Sequence, residues 1–215
     1  MGRKFLVMIN ANKLPRIYWR ELYTERMRAV AFFARTGDID LFGKGWDRPS
    51  MRVGKTWVPW TVKLPWLALQ NRWQKRFPDP LLVGARQAWR GPAMSKAETL
   101  AQYDFALCFE NCILTGWITE KLFDCFFAGT VPVYWGAPEI RDVVPPDCFV
   151  DMRDFSGYAE LHEFLRSRTA EDLRRYRQAA REFIASPGYY AFSRKAFTAC
   201  FESCVEEATR NWPST

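Results

Sequence analysis

Phe105-Ala-Leu-Cys-Phe109, then Ile118 to Ala128, then Gly129, then Val131-Pro-Val-Tyr-Trp135 is the stretch that decides the fold. The first run is short, continuous and apolar, the pattern of a strand buried on both faces. The second has helical spacing and stops at Gly129, a natural residue just past a helix end. The third is again a buried strand. Strand, helix and strand in this order form a parallel crossover unit, and such units are right-handed.

Working outward, the same unit recurs at the start of the chain. Phe5-Leu-Val-Met-Ile9 predicts a strand, and Asn10 to Pro15 a polar loop. Tyr23, Met27, Val30 and Ala34 fall on one helical face that ends near Gly37, and Ile39-Asp-Leu-Phe42 returns as a strand. Towards the C-terminus, Cys148 to Met152 predicts a further strand, and helices are expected over 158–166, 169–185 and 193–208. Residues 44–92 interrupt this alternation with six of the ten tryptophans (Trp46, Trp57, Trp60, Trp66, Trp73 and Trp89). There we expect loop and short helix, such as Pro65 to Arg76, rather than sheet. The expectation is an α/β, Rossmann-like doubly wound parallel sheet, in one domain over 1–215 with 44–92 as a Trp-rich basic insertion. Such sheets bind ligands at the carboxyl ends of their strands.

Composition excludes several classes. With 48% apolar and 26% charged residues among 215, the chain is neither disordered nor collagen-like. No apolar run reaches the ~18 residues of a membrane span. The single histidine, His162, leaves no ready way to build a Ser-His-Asp triad or an HExxH zinc site. It lies in a polar helical stretch and reads as a surface residue. The cysteines (Cys108, Cys112, Cys125, Cys148, Cys200 and Cys204) include no CxxC pair. No secretory h-region follows Met1, so reduced thiols and a cytoplasmic location are expected.

The net charge of +7 is uneven. Residues 1–100 hold 19 Lys and Arg against 7 Asp and Glu, and residues 101–215 hold 12 against 17. The basic half calls for an anionic partner or a membrane surface. The tryptophans with Lys55, Lys63, Arg72, Lys75 and Arg76 suit peripheral contact with an anionic inner membrane, or equally packing against further protein. Nucleic acid is not expected as a partner. Asp38-Ile39-Asp40 has the form of a metal-binding D-x-D but opens a strand after a turn, so no metal is assigned to it. Gly43-Lys-Gly45 lacks the third glycine of a dinucleotide fingerprint.

The chemistry concentrates in Phe109-Glu110-Asn111 and the approach to Gly116-Trp-Ile-Thr-Glu-Lys121. A strand tip runs here through a loop into the first turn of a helix, where free N–H groups and the dipole favour an anion. Lys121 adds a point charge and Asn111 an amide. Glu120 is either a first-turn charge or an acceptor for a ribose diol. A capped helix with an exposed Glu-Lys pair would have the same spacing.

The stretch from Tyr103 to Phe155 resembles the C-terminal domain of family 10 glycosyltransferases, the α-1,3/1,4-fucosyltransferases. The residues that carry the resemblance are Tyr103-Asp-Phe-Ala-Leu-Cys-Phe-Glu-Asn111, Gly116-Trp-Ile-Thr-Glu-Lys-Leu122 and Ala128-Gly-Thr-Val-Pro-Val-Tyr-Trp-Gly136. Asp147-Cys-Phe-Val-Asp151 and Asp154-Phe155 continue it. The resemblance implies the GDP-fucose-binding half of a GT-B enzyme that transfers L-fucose with inversion to a glycan acceptor, one containing N-acetylglucosamine being a candidate, and needs no cofactor or metal. Carried over residue by residue, Asn111 and Lys121 contact the diphosphate and Glu120 the ribose. Trp117 stands where the family more often has a phosphate-contacting tyrosine, and Cys112 replaces a common serine. Arg26 is the expected arginine ligand of the diphosphate from the first helix, with Arg28 in reserve. Asn10 and Asn12 sit at the first strand's tip, and Phe42 or Lys44 would border the guanine. The family's general base lies in an N-terminal domain, so the resemblance gives that role to no residue here. The chain alone is then expected to bind GDP and to transfer poorly. The alternative is a noncatalytic nucleotide-sugar-binding module, or an inactive fragment, within a complex.

Overall fold

The computed structural model describes residues 2–14, 19–47, 51–52, 61, 65, 69, 72, 73, 76, 77 and 79–210. The elements run β1 (Lys4–Ile9), β2 (Lys13–Leu14), α1 (Tyr23–Thr36), β3 (Ile39–Phe42), β4 (Met51–Arg52), α2 (Pro80–Ala88), α3 (Lys96–Leu100) and β5 (Tyr103–Phe109). They continue with α4 (Glu120–Ala128), β6 (Val131–Trp135), α5 (Ile140–Val143), β7 (Val150–Asp151), α6 (Tyr158–Arg166), α7 (Ala170–Ala185) and α8 (Arg194–Arg210).

Five strands form one parallel sheet in the order β3-β1-β5-β6-β7, and β2 pairs with β4 apart from it. Both faces are covered. Leu6, Met8, Phe105, Leu107, Phe109, Val131 and Val133 turn to one side, under α1, α2 and α6. Val7, Ala106, Cys108 and Tyr134 turn to the other, under α3, α4 and α7. This period-2 division explains why the strands read as unbroken apolar runs. The α/β doubly wound expectation is met.

The chain leaves β1 in one direction to reach β3, then returns past β1 to β5 and continues outward. The carboxyl ends of β1 and β5 therefore flank the topological switch point, where the diverging connections leave a crevice. Tight backbone contacts fix its β1 side. Gly43 has φ 143°, and a Cβ there would stand 2.0 Å from the Asn10 carbonyl oxygen. The indole of buried Trp46 donates to that same oxygen at 2.8 Å, and the Trp89 indole donates to the Gly43 carbonyl at 2.9 Å. Two tryptophans of the 44–92 stretch are thus structural pins. Trp57, Trp60 and Trp66, and most of the helix expected over 65–76, lie outside the described residues.

Some expectations are corrected. The strand over 148–152 shrinks to Val150–Asp151 between two 3₁₀ turns, because Asp151 accepts from the Arg153 N–H at 3.0 Å and closes the chain into a turn. The helix expected from Ile118 begins at Glu120, since Thr119 is extended. Residues 44–92 also hold the nine-residue α2, started by the Asp79 cap and Pro80. His162 is not a surface residue. Its ring packs edge-on against Phe5, Phe32 and Phe33 and bonds Asp38 at 2.6 Å, tying α6 to the turn before β3. Among the described residues no helix is long and apolar enough to cross a membrane.

Candidate nucleotide site

A cleft of about 340 Å³ opens at the switch point. Its walls include Asn10, Tyr23, Arg26, Asn111, Glu120 and Lys121, with Lys13, Lys44 and Lys96 around them. Five cations against one lining carboxylate suit a multiply charged anion.

Arg26 is the deepest of these cations, buried at the inner face of α1. Its Nε and Nη2 donate to the Phe109 carbonyl at 3.1 and 2.6 Å, and Nη2 also donates to Asn111 Oδ1 at 2.9 Å. Nη1 lies 3.4 Å from Asn10 Oδ1. Burial lowers its pKa, opposed by Tyr23 and Glu110, but a guanidinium remains charged. The planar fork is held by the tips of both strands, which gives a fixed charge at the crevice floor. With its oxygen committed to Arg26, the Asn111 amide presents its N–H donors elsewhere.

Lys121 enters from the first turn of α4. Its ammonium donates to Glu110 Oε2 and Thr119 Oγ1, both at 2.9 Å. Glu110 is fully buried and also accepts from the Thr119 N–H at 2.9 Å and the Thr119 hydroxyl at 2.8 Å. Because the Thr119 hydroxyl turns to Glu110, it does not cap α4, and at the helix start the Glu120 carboxylate accepts from its own N–H. Glu120 is exposed, with Lys96 Nζ at 3.8 Å from its carboxylate. Burial works to raise its pKa, yet Lys121 and Lys96 hold it below the usual carboxylate range.

The structure therefore gathers Arg26, Asn10, Asn111, Glu120 and Lys121 in one place. It leaves four residues named from the sequence outside the cleft wall: Arg28, Trp117, Phe42 and Asn12. Arg28 lies on the exposed side of α1 and pairs with Glu25, because a two-residue step on a helix turns the side chain away from Arg26. Trp117 is 41% exposed and is not part of the cleft wall. Lys44 lines the cleft, whereas Phe42 packs beside Tyr103 and Asn12 is buried with its amide on the Gly45 carbonyl. Lys13, Tyr23, Lys96 and Glu110 were missed. Glu110 stands inside the quoted motif, and an acid ending an apolar strand was its signal. Lys96 pairs with Asp124 at 2.5 Å and Glu120, which no local pattern discloses. The D-x-D aspartates are engaged structurally: Asp38 by His162 and Arg166, Asp40 by Lys4, Arg90 and Tyr103. Among the described residues no cluster of three or more His, Cys, Asp or Glu is arranged to hold a metal.

Residues 82–198 match the family model described as glycosyltransferase family 10 (fucosyltransferase), C-terminal. Over 72 residues the chain is 40% identical to the α-(1,3)-fucosyltransferase FucT of Helicobacter pylori, covering 34% of this chain and 15% of that protein. Over 70 residues it is 39% identical to the mouse 4-galactosyl-N-acetylglucosaminide 3-α-L-fucosyltransferase 9, covering 32% and 20%. A crystal structure of an α1,3-fucosyltransferase with GDP-fucose superposes with a TM-score of 0.50 at 20% identity, covering 81% of this chain and 38% of that one. That likeness concerns the fold alone. The matched part is well under half the length of each of these proteins.

Proposed function

Because the chain belongs to glycosyltransferase family 10, the fucosyltransferases, we propose that its switch-point cleft binds GDP-fucose as the donor half of a transferase acting on a glycan. The observation that carries this reading is the convergence of a buried arginine and a helix-start lysine on the tip of one strand, at the place where doubly wound sheets bind nucleotides. Arg26, Lys121 and Asn111 take the diphosphate, Glu120 the ribose hydroxyls, and Asn10 borders the phosphates or sugar. Arg28 and Trp117 are left out of the set because they lie away from the cleft wall.

Transfer breaks the bond between the fucose anomeric carbon and the β-phosphate oxygen while the acceptor oxygen attacks the opposite face, which inverts the centre. Positive charge grows on the sugar and negative charge on the departing GDP. Lys121, Arg26 and the α4 N-terminus face that growing negative charge already oriented, so little reorganisation accompanies the step. The acceptor loses a proton to a base, and Glu120, ion-paired with Lys96, is the only carboxylate on the cleft wall among the described residues. That observation equally favours the second reading, a donor-binding module that works with another polypeptide. An N-acetylglucosamine-type acceptor is supported by the name of the mouse relative.

Peripheral contact with an anionic membrane is part of the proposal. Leu69, Trp73 and Phe77 are exposed at helical spacing beside Arg72 and Arg76. Thermal unfolding tests the donor assignment: GDP should raise the midpoint, and UDP and ADP should not. Equal shifts with all three, or none with GDP, would remove it. Turnover of GDP-fucose with an N-acetylglucosamine acceptor, by this chain alone, separates the transferase from the module.

A further inference from the structure

The tip of β5 holds two of the five cations of the cleft, Arg26 and Lys121, and it does so with three consecutive residues. Phe109 supplies a carbonyl and Asn111 an amide oxygen to Arg26, while Glu110 between them points to the opposite face and holds Lys121. A carboxylate is expensive to bury, and here it is fully enclosed with its oxygens on Thr119 and Lys121. The fold makes room for it. A Cβ at Gly136 would stand 2.5 Å from Glu110 Cγ and 2.6 Å from the Tyr134 hydroxyl, so the residue after β6 has to be small for Glu110 to fit. The Glu110 N–H bonds the Trp135 carbonyl at 2.7 Å, which leaves the tip little freedom.

We infer that Glu110 is a positioning residue for the donor site: it fixes where the Lys121 ammonium stands, directly and by drawing inward the Thr119 hydroxyl that Lys121 also bonds. This rests on the reading of the cleft as a GDP site. Glu110 touches no ligand. A lysine side chain loses rotamer freedom on being held, and the bond to Glu110 imposes that order before the diphosphate arrives. The same bond sets the direction of the ammonium's remaining N–H groups, which is what a phosphate oxygen meets.

The test is a double-mutant cycle read by calorimetric titration of this chain with GDP. Glu110→Gln keeps the shape and removes the charge, Lys121→Ala removes the cation, and the double variant closes the cycle. Positioning predicts that Glu110→Gln weakens GDP about tenfold, that Lys121→Ala weakens it about tenfold or more, and that the double variant is no weaker than Lys121→Ala. A role confined to holding the fold would weaken GDP by the same factor with or without Lys121, and additive losses would overturn the inference. Thr119→Val is the second variant. It removes the hydroxyl limb while leaving the buried carboxylate, and should weaken GDP threefold or more; unchanged affinity there also counts against the inference. If the wild-type chain binds no GDP at millimolar concentration, the reading of the cleft and the inference fall together. If the wild type binds and the cycle is additive, only the inference falls.

Discussion

Arg26 and Lys121 supply charge to the same cleft by different means, and their substitution should fail differently. Lys121 is the counter-charge of the buried Glu110, so Lys121→Ala should lower stability by about 3 kcal/mol, a loss that Glu110→Gln in the same chain should relieve. A charge-assisted hydrogen bond contributes about 1.5–3 kcal/mol, so GDP affinity should fall about ten- to a hundredfold. Arg26 is buried and satisfies the Phe109 carbonyl. Arg26→Ala should therefore lose GDP binding and also about 2–3 kcal/mol of stability, seen by urea denaturation. Arg28→Ala is the control. Its guanidinium is exposed and paired only with Glu25 among the described contacts, so both quantities should stay at their wild-type values, with stability within about 0.5 kcal/mol. The resemblance ranked Arg26 ahead of Arg28 but gave no physical reason for the order. The burial of one face of α1 supplies that reason, with Arg26 inside and Arg28 exposed.

At the scale of elements, the site depends on loops packed backbone against backbone. Gly43→Ala places a methyl against the Asn10 carbonyl, which is backbone and cannot yield. It should destabilise the chain by about 2 kcal/mol or more and lower GDP affinity, because Asn10 lines the cleft. Thr169→Ala breaks a reciprocal capping box at the start of α7, whose residues do not line the cleft. It should cost about 1 kcal/mol in denaturation and leave GDP binding untouched. The strands were legible because each is buried on both faces and reads as an apolar run. Helix ends were legible where Gly37 and Gly129 stand in the left-handed conformation. α2 carried a local signal in Asp79-Pro80, obscured by the surrounding tryptophans. The Glu110–Lys121 and Lys96–Asp124 pairs were not legible, since each joins elements that meet only once the sheet forms. The place of Trp46 and Trp89 was hidden for the same reason: their partners, Asn10 and Gly43, are more than 30 residues away.

Across the whole molecule, charge pattern and sheet topology converge. Four of the five cleft cations, Lys13, Arg26, Lys44 and Lys96, come from the basic first hundred residues, and Lys121 from the acidic remainder. Much of the remaining charge is structural. Burial pushes the Asp151 carboxyl up, but Arg153 and Arg141 more than offset this and hold it below the usual carboxylate range. Burial likewise opposes Asp38, which His162 and Arg166 hold low. Because the folded pKa values lie below the unfolded one of about 3.9, this stability is complete well above it and is lost as pH falls through the folded values. Urea denaturation should give nearly constant stability from pH 7 to 5 and a decline below about pH 4. Asp151→Asn should lower the plateau and flatten the decline. The central claim is that the crevice between β1 and β5 is a GDP site built on Arg26 and Lys121, and calorimetric titration with GDP tests it most directly. Saturable one-to-one binding by the wild type, weakened ten- to a hundredfold in Lys121→Ala and unchanged in Arg28→Ala, is the predicted result. Binding that survives Lys121→Ala and Arg26→Ala at full strength would place the nucleotide elsewhere and contradict it.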